Sequence, residues 1–258
     1  MILCGGFGTR LRDVSEVLPK PMVPIGGYPI LWHSMKSYAS VGVDRFILCL
    51  GYKKEIFADF FLNYRARSCN FTVNLQTQNV AYEADAGTED WEVTLADTGA
   101  NAMTGCRVAR ATRFLRPDDD SFFLTYGDGL SNVDLESLHQ FHQSHNKLST
   151  ITAVHPAGRF GEIRMEGDAV TSFEEKPQTS TGFINGGFMM LRRDFCDRYL
   201  SDDESLQLEQ KPLVQASLDG ELKAFRHEGF WQCMDTSREY QYLNKLWTDG
   251  NAPWKMDR

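Results

Sequence analysis

The chain has 258 residues, 42% of them hydrophobic and 24% charged, with a formal net charge of −8. That length suits one large α/β domain or two small ones, and the acidity argues against a nucleic-acid partner, which would call for a basic surface. No apolar run is long enough to span a bilayer and no leader segment is recognisable, so a cytoplasmic protein without membrane contact is expected.

The cysteines (Cys4, Cys49, Cys69, Cys106, Cys196, Cys233) are scattered, and none forms a C-x-x-C pair. Free thiols in a reducing compartment fit them better than a zinc site or a disulfide frame.

In chain order, the apolar opening Met1-Ile2-Leu3 reads as a strand and runs into the glycine-rich turn Gly5-Gly6-Phe7-Gly8. Arg10 follows, and Lys20 stands between Pro19 and Pro21. Glycines expose backbone N–H groups that can curl around an anion, and two cations beyond them can neutralise a polyphosphate. Neither G-x-x-x-x-G-K-[ST] nor a helix-opening G-x-G-x-x-G is present, so this is neither a P-loop nor a dinucleotide fingerprint.

Pro29 opens a helix over 30–41 that ends at Gly42. Residues 45–50 form a continuous apolar strand. A helix over 53–64 follows, with Ile56, Phe57, Phe60 and Phe61 at helical spacing. Residues 71–76 read as a strand. Residues 81–97 are acidic and weakly patterned, a loop or a docking segment. Residues 121–126 form a buried strand that stops at Gly127-Asp128-Gly129, followed by a helix over 133–145 and a strand over 149–155. The second half reads as a hairpin over 160–172 turning at Gly167-Asp168, then a strand over 183–191 broken by Gly186-Gly187. A helix over 212–218, a strand over 222–226 and a helix over 237–247 complete it.

Strands alternating with helices predict an α/β fold: a mostly parallel, mixed sheet flanked by helices, with small β-hairpin additions. Ligands of such sheets sit at strand carboxyl ends. Both the glycine loop and the Gly127-Asp128-Gly129 turn fall there, so the two can share one crevice.

Several residues are candidates for chemistry, each with a plainer alternative. Asp128 is a turn former or a Mg²⁺ ligand, since Mg²⁺ takes one or two carboxylates plus phosphates and water. Asp235 is a helix N-cap, a second ligand, or both. Glu175-Lys176-Pro177 is a surface pair or a grip on a substrate phosphate. Asn185-Gly186-Gly187 interrupts a strand where a ligand can approach closely. His139, His142 and His145 share one helix, and His142 and His145 lie on the stripe of Leu135 and Leu138. Packing explains them better than metal binding.

Together these segments resemble the sugar-1-phosphate nucleotidyltransferases, over nearly the whole chain. The G-G-x-G-T-R-L…K-P opening, the G-D-G turn, the E-K-P and the N-G-G occur in the family's order. Lys20-Pro21-Met22-Val23, Met103-Thr104-Gly105-Cys106-Arg107, Thr125-Tyr126-Gly127-Asp128-Gly129 and Gly229-Phe230-Trp231-Gln232-Cys233-Met234-Asp235-Thr236 resemble its cytidylyltransferase branch.

The resemblance implies a single Rossmann-like nucleotidyltransferase domain over 1–258, with a nucleotide-binding half (1–130) and a sugar-phosphate-binding half (131–258). It implies that Leu3, Cys4, Gly5, Gly6, Phe7, Gly8, Thr9 and Arg10 wrap the triphosphate of CTP, together with Gly127. Lys20 would steady the phosphates, and Arg10, Lys20 and Asp128 would be catalytic. Met103, Thr104, Gly105 and Arg107 would form a loop against the cytosine. Asp128 and Asp235 would hold Mg²⁺. Tyr126, Glu175, Lys176, Asn185 and Gly186 would bind the sugar phosphate, glucose 1-phosphate first among candidates. A homo-oligomer, in this branch a hexamer, is implied as well.

The chain departs from the family at Cys106, where a second glycine is usual, and at Cys233, where a proline is usual. Its opening also falls two or three residues later than in relatives. The reaction implied is CTP + sugar 1-phosphate → CDP-sugar + pyrophosphate. Its alternatives are the same reaction with UTP, dTTP or another phosphorylated acceptor, and a nucleotide-sugar sensor without turnover.

Overall fold

The structure, a computed structural model, describes residues 1–6, 18–83, 89–156, 162–166, 168–174 and 182–255. Its centre is an eight-stranded mixed sheet in the order β13-β10-β14-β8-β1-β4-β7, with β15 on the far side of β10. These strands are β1 (Ile2–Leu3), β4 (Arg45–Leu50), β7 (Glu92–Asp97), β8 (Ser121–Tyr126), β10 (Ser149–Val154), β13 (Ile184–Asn185), β14 (Met189–Arg192) and β15 (Leu222–His227). The β8-β1-β4-β7 half is parallel, as is β10 with β15, while β14 runs antiparallel to both β8 and β10.

The continuous apolar run of β4 follows from burial on both faces. Phe46, Leu48 and Leu50 pack to one side with Ile2, Met35, Tyr38 and Phe57. Ile47 and Cys49 pack to the other with Leu3, Val108, Phe122 and Leu124. The covering helices include α1 (Ile30–Ala39), α2 (Lys54–Leu62), α4 (Thr104–Ala111), α5 (Leu135–Ser144) and α7 (Lys211–Leu218). A smaller cluster of Val23, Ile25, Ile30, Leu130, Met234 and Leu243 joins the hairpin β2 (Pro24–Ile25)–β3 (Tyr28–Pro29) to the C-terminal helix α8 (Ser237–Thr248).

The structure corrects four expectations. The acidic stretch over 81–97 is partly sheet: Glu92–Asp97 is the edge strand β7, in parallel register with Arg45–Leu50, while residues 84–88 lie outside the described set. The helix expected over 53–64 starts after Lys53, whose φ of 55° is left-handed, and divides into Lys54–Leu62 and α3 (Tyr64–Ser68). The expected strand over 71–76 is only Phe71–Val73 (β5), paired with Val80–Tyr82 (β6) in a separate hairpin. The segment Met103–Arg107 is the start of helix α4, not a loop.

The second-half hairpin is present as β11 (Glu162–Glu166) and β12 (Ala169–Glu174). The break at Gly186-Gly187 divides one run into β13 and β14, which pair with opposite ends of β10. His142 is fully buried and its Nδ1 lies 2.8 Å from Thr150 Oγ1, a packing role.

Candidate active site

Leu3 and Tyr126 are register partners on adjacent parallel strands, so the chain leaves the sheet at Cys4 and at Gly127 side by side. Gly127 N donates to Leu3 O at 3.0 Å, and a Cβ at residue 127 would come within 3.1 Å of both Pro21 and Cys4 Sγ. A larger residue there would press the Lys20–Pro21 segment away from the strand end by a few tenths of an ångström. Pro19 is extended, and Lys20 opens a 3-10 turn, Lys20–Met22, with Pro21 fixing its first step.

Two carboxylates meet the Lys20 ammonium. Its Nζ is 3.0 Å from Asp128 Oδ2 and also donates to Asp235 Oδ1. These acids are far apart in sequence and are joined by a short ladder. Strand β9 (Gly129–Ser131) pairs antiparallel with β16 (Trp231–Cys233), Cys233 opposite Gly129, and Met234 N donates to Asp128 O at 2.8 Å. The ladder fixes Asp128 and Asp235 just beyond its end.

Asp235 is not the cap of α8. Thr236 is, in a capping box with Glu239, whose carboxylate accepts from both Asp235 N and Thr236 N. The Asp235 side chain is thereby left for the cluster.

Lys20, Asp128 and Asp235 are mostly but not wholly buried, with side chains 14%, 28% and 23% exposed. Burial alone would lower the Lys20 pKa. The two carboxylates outweigh it and hold the ammonium above its ordinary range. Lys20 is therefore a fixed positive charge, unfit as a general base.

The two acids supply hard oxygen donors of the kind Mg²⁺ takes together with substrate phosphate and water, and Lys20 Nζ bonds both of them. Among the described residues no group of three or more His, Cys, Asp or Glu gathers to form a cage. Cys233 Sγ lies 3.5 Å from Asp235 Oδ2, and burial, with Asp235 next, pushes its thiol up to about 12. It stays a neutral neighbour.

The other expected site residues divide. Leu3 ends β1 and Cys4, Gly5 and Gly6 follow it, Gly6 alone being exposed, while Phe7, Gly8, Thr9 and Arg10 lie outside the described residues, as do Glu175 and Lys176. Arg107, expected against the base, is 4% exposed and turned to backbone carbonyls. Its Nη1 donates to Leu50 O (3.0 Å) and Gly99 O (2.9 Å) and its Nη2 to Gly5 O (3.0 Å). It braces the ends of β1, β4 and β7. Met103 is 40% exposed at the helix start. Thr104 and Gly105 are tied to the 204–210 segment: Gly105 N donates to Leu206 O at 2.9 Å and Thr104 Oγ1 to Glu209 at 2.7 Å. Cys106 is fully buried, so the departure from glycine there is a core substitution.

At the end of β8, Tyr126 OH donates to Glu209 Oε1 at 2.6 Å. Burial, then the Glu209 carboxylate, raises the phenol far above its ordinary pKa, so it remains a donor. Asn185 Oδ1 accepts from Gly187 N at 3.0 Å, and Gly186 O accepts from Trp231 Nε1 at 2.7 Å. Glu209 was missed in the sequence. It lies in an irregular segment, and its partners are 83 and 105 residues away.

The parallel half-sheet, the glycine turn and the lysine–carboxylate cluster define a nucleotide-handling α/β protein, and the chain belongs to the nucleotidyl transferase family, whose sequence profile matches residues 1–249. Within it, the chain is similar to the glucose-1-phosphate cytidylyltransferase of Salmonella typhi, 44% identical over 255 residues covering 99% of this chain and 98% of that one. Among solved structures it is similar to HddC from Yersinia pseudotuberculosis, with a TM-score of 0.65 at 25% identity over 95% of this chain and 97% of that one. It is also similar in fold to the inositol-1-phosphate CTP transferase of T. maritima, with a TM-score of 0.64 at 15% identity over 95% and 94% of the two chains.

Proposed function

We propose that the chain is a glucose-1-phosphate cytidylyltransferase, transferring CMP from CTP to α-D-glucose 1-phosphate and releasing pyrophosphate. The observation that carries this is the full-length likeness to the Salmonella typhi enzyme of that name, 44% identical over 99% of this chain. The site residues add physical support.

The acceptor phosphate is already anionic, so no general base is needed. The barrier lies in bringing two anions together, which calls for fixed positive charge and N–H dipoles. Lys20, held protonated by two acids, supplies the charge at the crevice floor. The N–H groups of Gly5 and Gly6 and the Arg10 cation are assigned to the triphosphate. Mg²⁺ held by Asp128 and Asp235 would draw electron density from the α-phosphate and align the two partners. Tyr126, Asn185 and Gly186, with Glu175 and Lys176, are assigned to the sugar phosphate. The attacking oxygen displaces pyrophosphate in line, without a covalent intermediate.

We further propose a homo-oligomer, with the hexamer as the form to test. Phe71, Leu75 and Val80, at 45%, 80% and 45% exposure, support it by placing apolar surface on the β5–β6 hairpin. The free thiols fit a cytoplasmic location, and among the described residues no helix is long and apolar enough to cross a membrane.

The reading is tested by pyrophosphate release with Mg²⁺ and glucose 1-phosphate, run in parallel with CTP, UTP, dTTP, ATP and GTP. Release with CTP at least tenfold above the others is expected. Equal release with UTP or dTTP would refute the base assignment, and no release with any nucleotide would refute the activity.

A further inference from the structure

Beyond the lysine–carboxylate cluster, the acid Glu209 lies beside Tyr126 at the end of β8, with no cation bonded to it among the described residues. Glu209 lies in the turn that leads into α7, and both of its carboxylate oxygens are engaged. Oε1 accepts from the Tyr126 phenol at 2.6 Å and Oε2 from the Thr104 hydroxyl at 2.7 Å. Thr104 Oγ1 in turn accepts from Leu208 N at 2.9 Å, so the clamp is closed and the carboxylate is held in place. Both partners are neutral, and among the described residues Glu209 forms no ion pair. The side chain is nevertheless exposed, and a carboxylate offers about four lone-pair sites, of which two hydroxyls fill two.

Glu209, Tyr126 and Asn185 line an open pocket of about 550 Å³ together with the apolar side chains of Ile151, Leu213 and Leu222. A carboxylate with open lone pairs beside apolar side chains suits a neutral, hydroxyl-bearing ring, its hydroxyls on Glu209 and its C–H face on the apolar side chains. The same carboxylate does not suit a second anion. A carboxylate or phosphate carried by the ring would be desolvated against Glu209, and like charges brought together at an interface are strongly disfavoured.

We propose that Glu209 is a specificity-determining residue for the acceptor: it takes hydrogen bonds from the hydroxyls of a neutral hexosyl group and turns away sugar 1-phosphates that carry a second negative charge. This rests on the reading above, in which Tyr126 and Asn185 face the sugar phosphate. The phosphate that reacts lies toward Lys20, Asp128 and Asp235, so one anion is accommodated there and a second is refused here.

The test compares kcat/KM for glucose 1-phosphate and glucuronate 1-phosphate, at fixed CTP, in the wild type, Glu209→Gln and Glu209→Lys. The wild type is expected to prefer glucose 1-phosphate by roughly 100-fold, the scale of a like-charge contact. Glu209→Gln, which removes the charge at nearly constant shape, is expected to shrink that preference about tenfold. Glu209→Lys is expected to turn over glucuronate 1-phosphate faster than the wild type does. Mere loosening of α4 would slow both acceptors alike and raise the KM for CTP, and it cannot produce a gain with the anionic acceptor. A wild type that uses both acceptors equally overturns the proposal, as does a preference unchanged in both variants. A wild type inactive with CTP and glucose 1-phosphate would instead overturn the reading on which the proposal rests.

Discussion

Arg107 ties three strand ends together with one guanidinium, and it does so beneath the glycine turn. An ideal Cβ on Gly5 would fall 2.1 Å from Arg107 Cζ. Glycine at residue 5 leaves the space that the arginine fills. Gly5→Ala must push aside a side chain whose nitrogens are already bonded to Leu50, Gly99 and Gly5 carbonyls. Arg107→Met keeps the bulk and removes the donors, taking the guanidinium from the buried Gly5 carbonyl and the half-buried Gly99 carbonyl. It is expected to cost at least ~2 kcal/mol of folding stability in denaturant unfolding. A loss under about 0.5 kcal/mol, the scale of a neutral surface change, would show that the brace is not structural. At sequence level Arg107 carried a family motif, and no local pattern disclosed that its partners are loops at three strand ends.

At the scale of elements, what burial dictates locally was readable. The runs Phe46–Leu50 and Ser121–Tyr126 are apolar because both sheet faces are covered, and Pro29 and Gly42 bracket α1. Edge strand β7 was hidden because Glu92 and Asp97 at its ends read as part of an acidic loop, and only pairing with β4 makes it a strand. Helix α4 was hidden because its N-cap is Met103, with no side-chain cap and no acid in the first turn. Carbonyls of another segment, at Glu204 and Leu206, accept from its first N–H groups instead. In the site, Asp128 and Asp235 were each legible as turn-borne acids, but their meeting at Lys20 depends on the β9–β16 ladder, a non-local pairing. The capping box just after Asp235 locks one end of that ladder. Thr236→Ala is expected to cost about 1 kcal/mol, seen as a fall in Tm of roughly 2–4 °C. An unchanged Tm would contradict the role given to the cap.

For the whole molecule, two buried histidines contribute to the loss of stability in acid. Burial holds His33 at about 4, against the pull of its hydrogen bond to Ile25 O, and burial followed by nearby Arg192 holds His142 at about 4. Unfolded histidines titrate near ~6.5, so between there and pH 4 the unfolded chain binds protons that the folded chain refuses. Stability is full above the unfolded pKa and falls as pH drops toward the folded one, by on the order of 2 kcal/mol per histidine. Thermal unfolding at pH 7 and pH 4.5 should show that fall, with a shallower one in the His33→Gln/His142→Asn double variant. Identical slopes would assign the acid limb to other groups. Light scattering should likewise report an oligomer that Leu75→Asp weakens; a monomeric wild type would remove the proposed assembly.

The central claim is that cytidylyl transfer occurs where Lys20, Asp128 and Asp235 meet. The most direct measurement is CDP-glucose formation from CTP and glucose 1-phosphate by the wild type and by Asp128→Asn, with folding of both confirmed by circular dichroism. The account predicts steady product formation by the wild type and a loss of roughly 10²–10³-fold in kcat for the variant, the scale of removing one electrostatic stabiliser. A variant that makes CDP-glucose at the wild-type rate would contradict it.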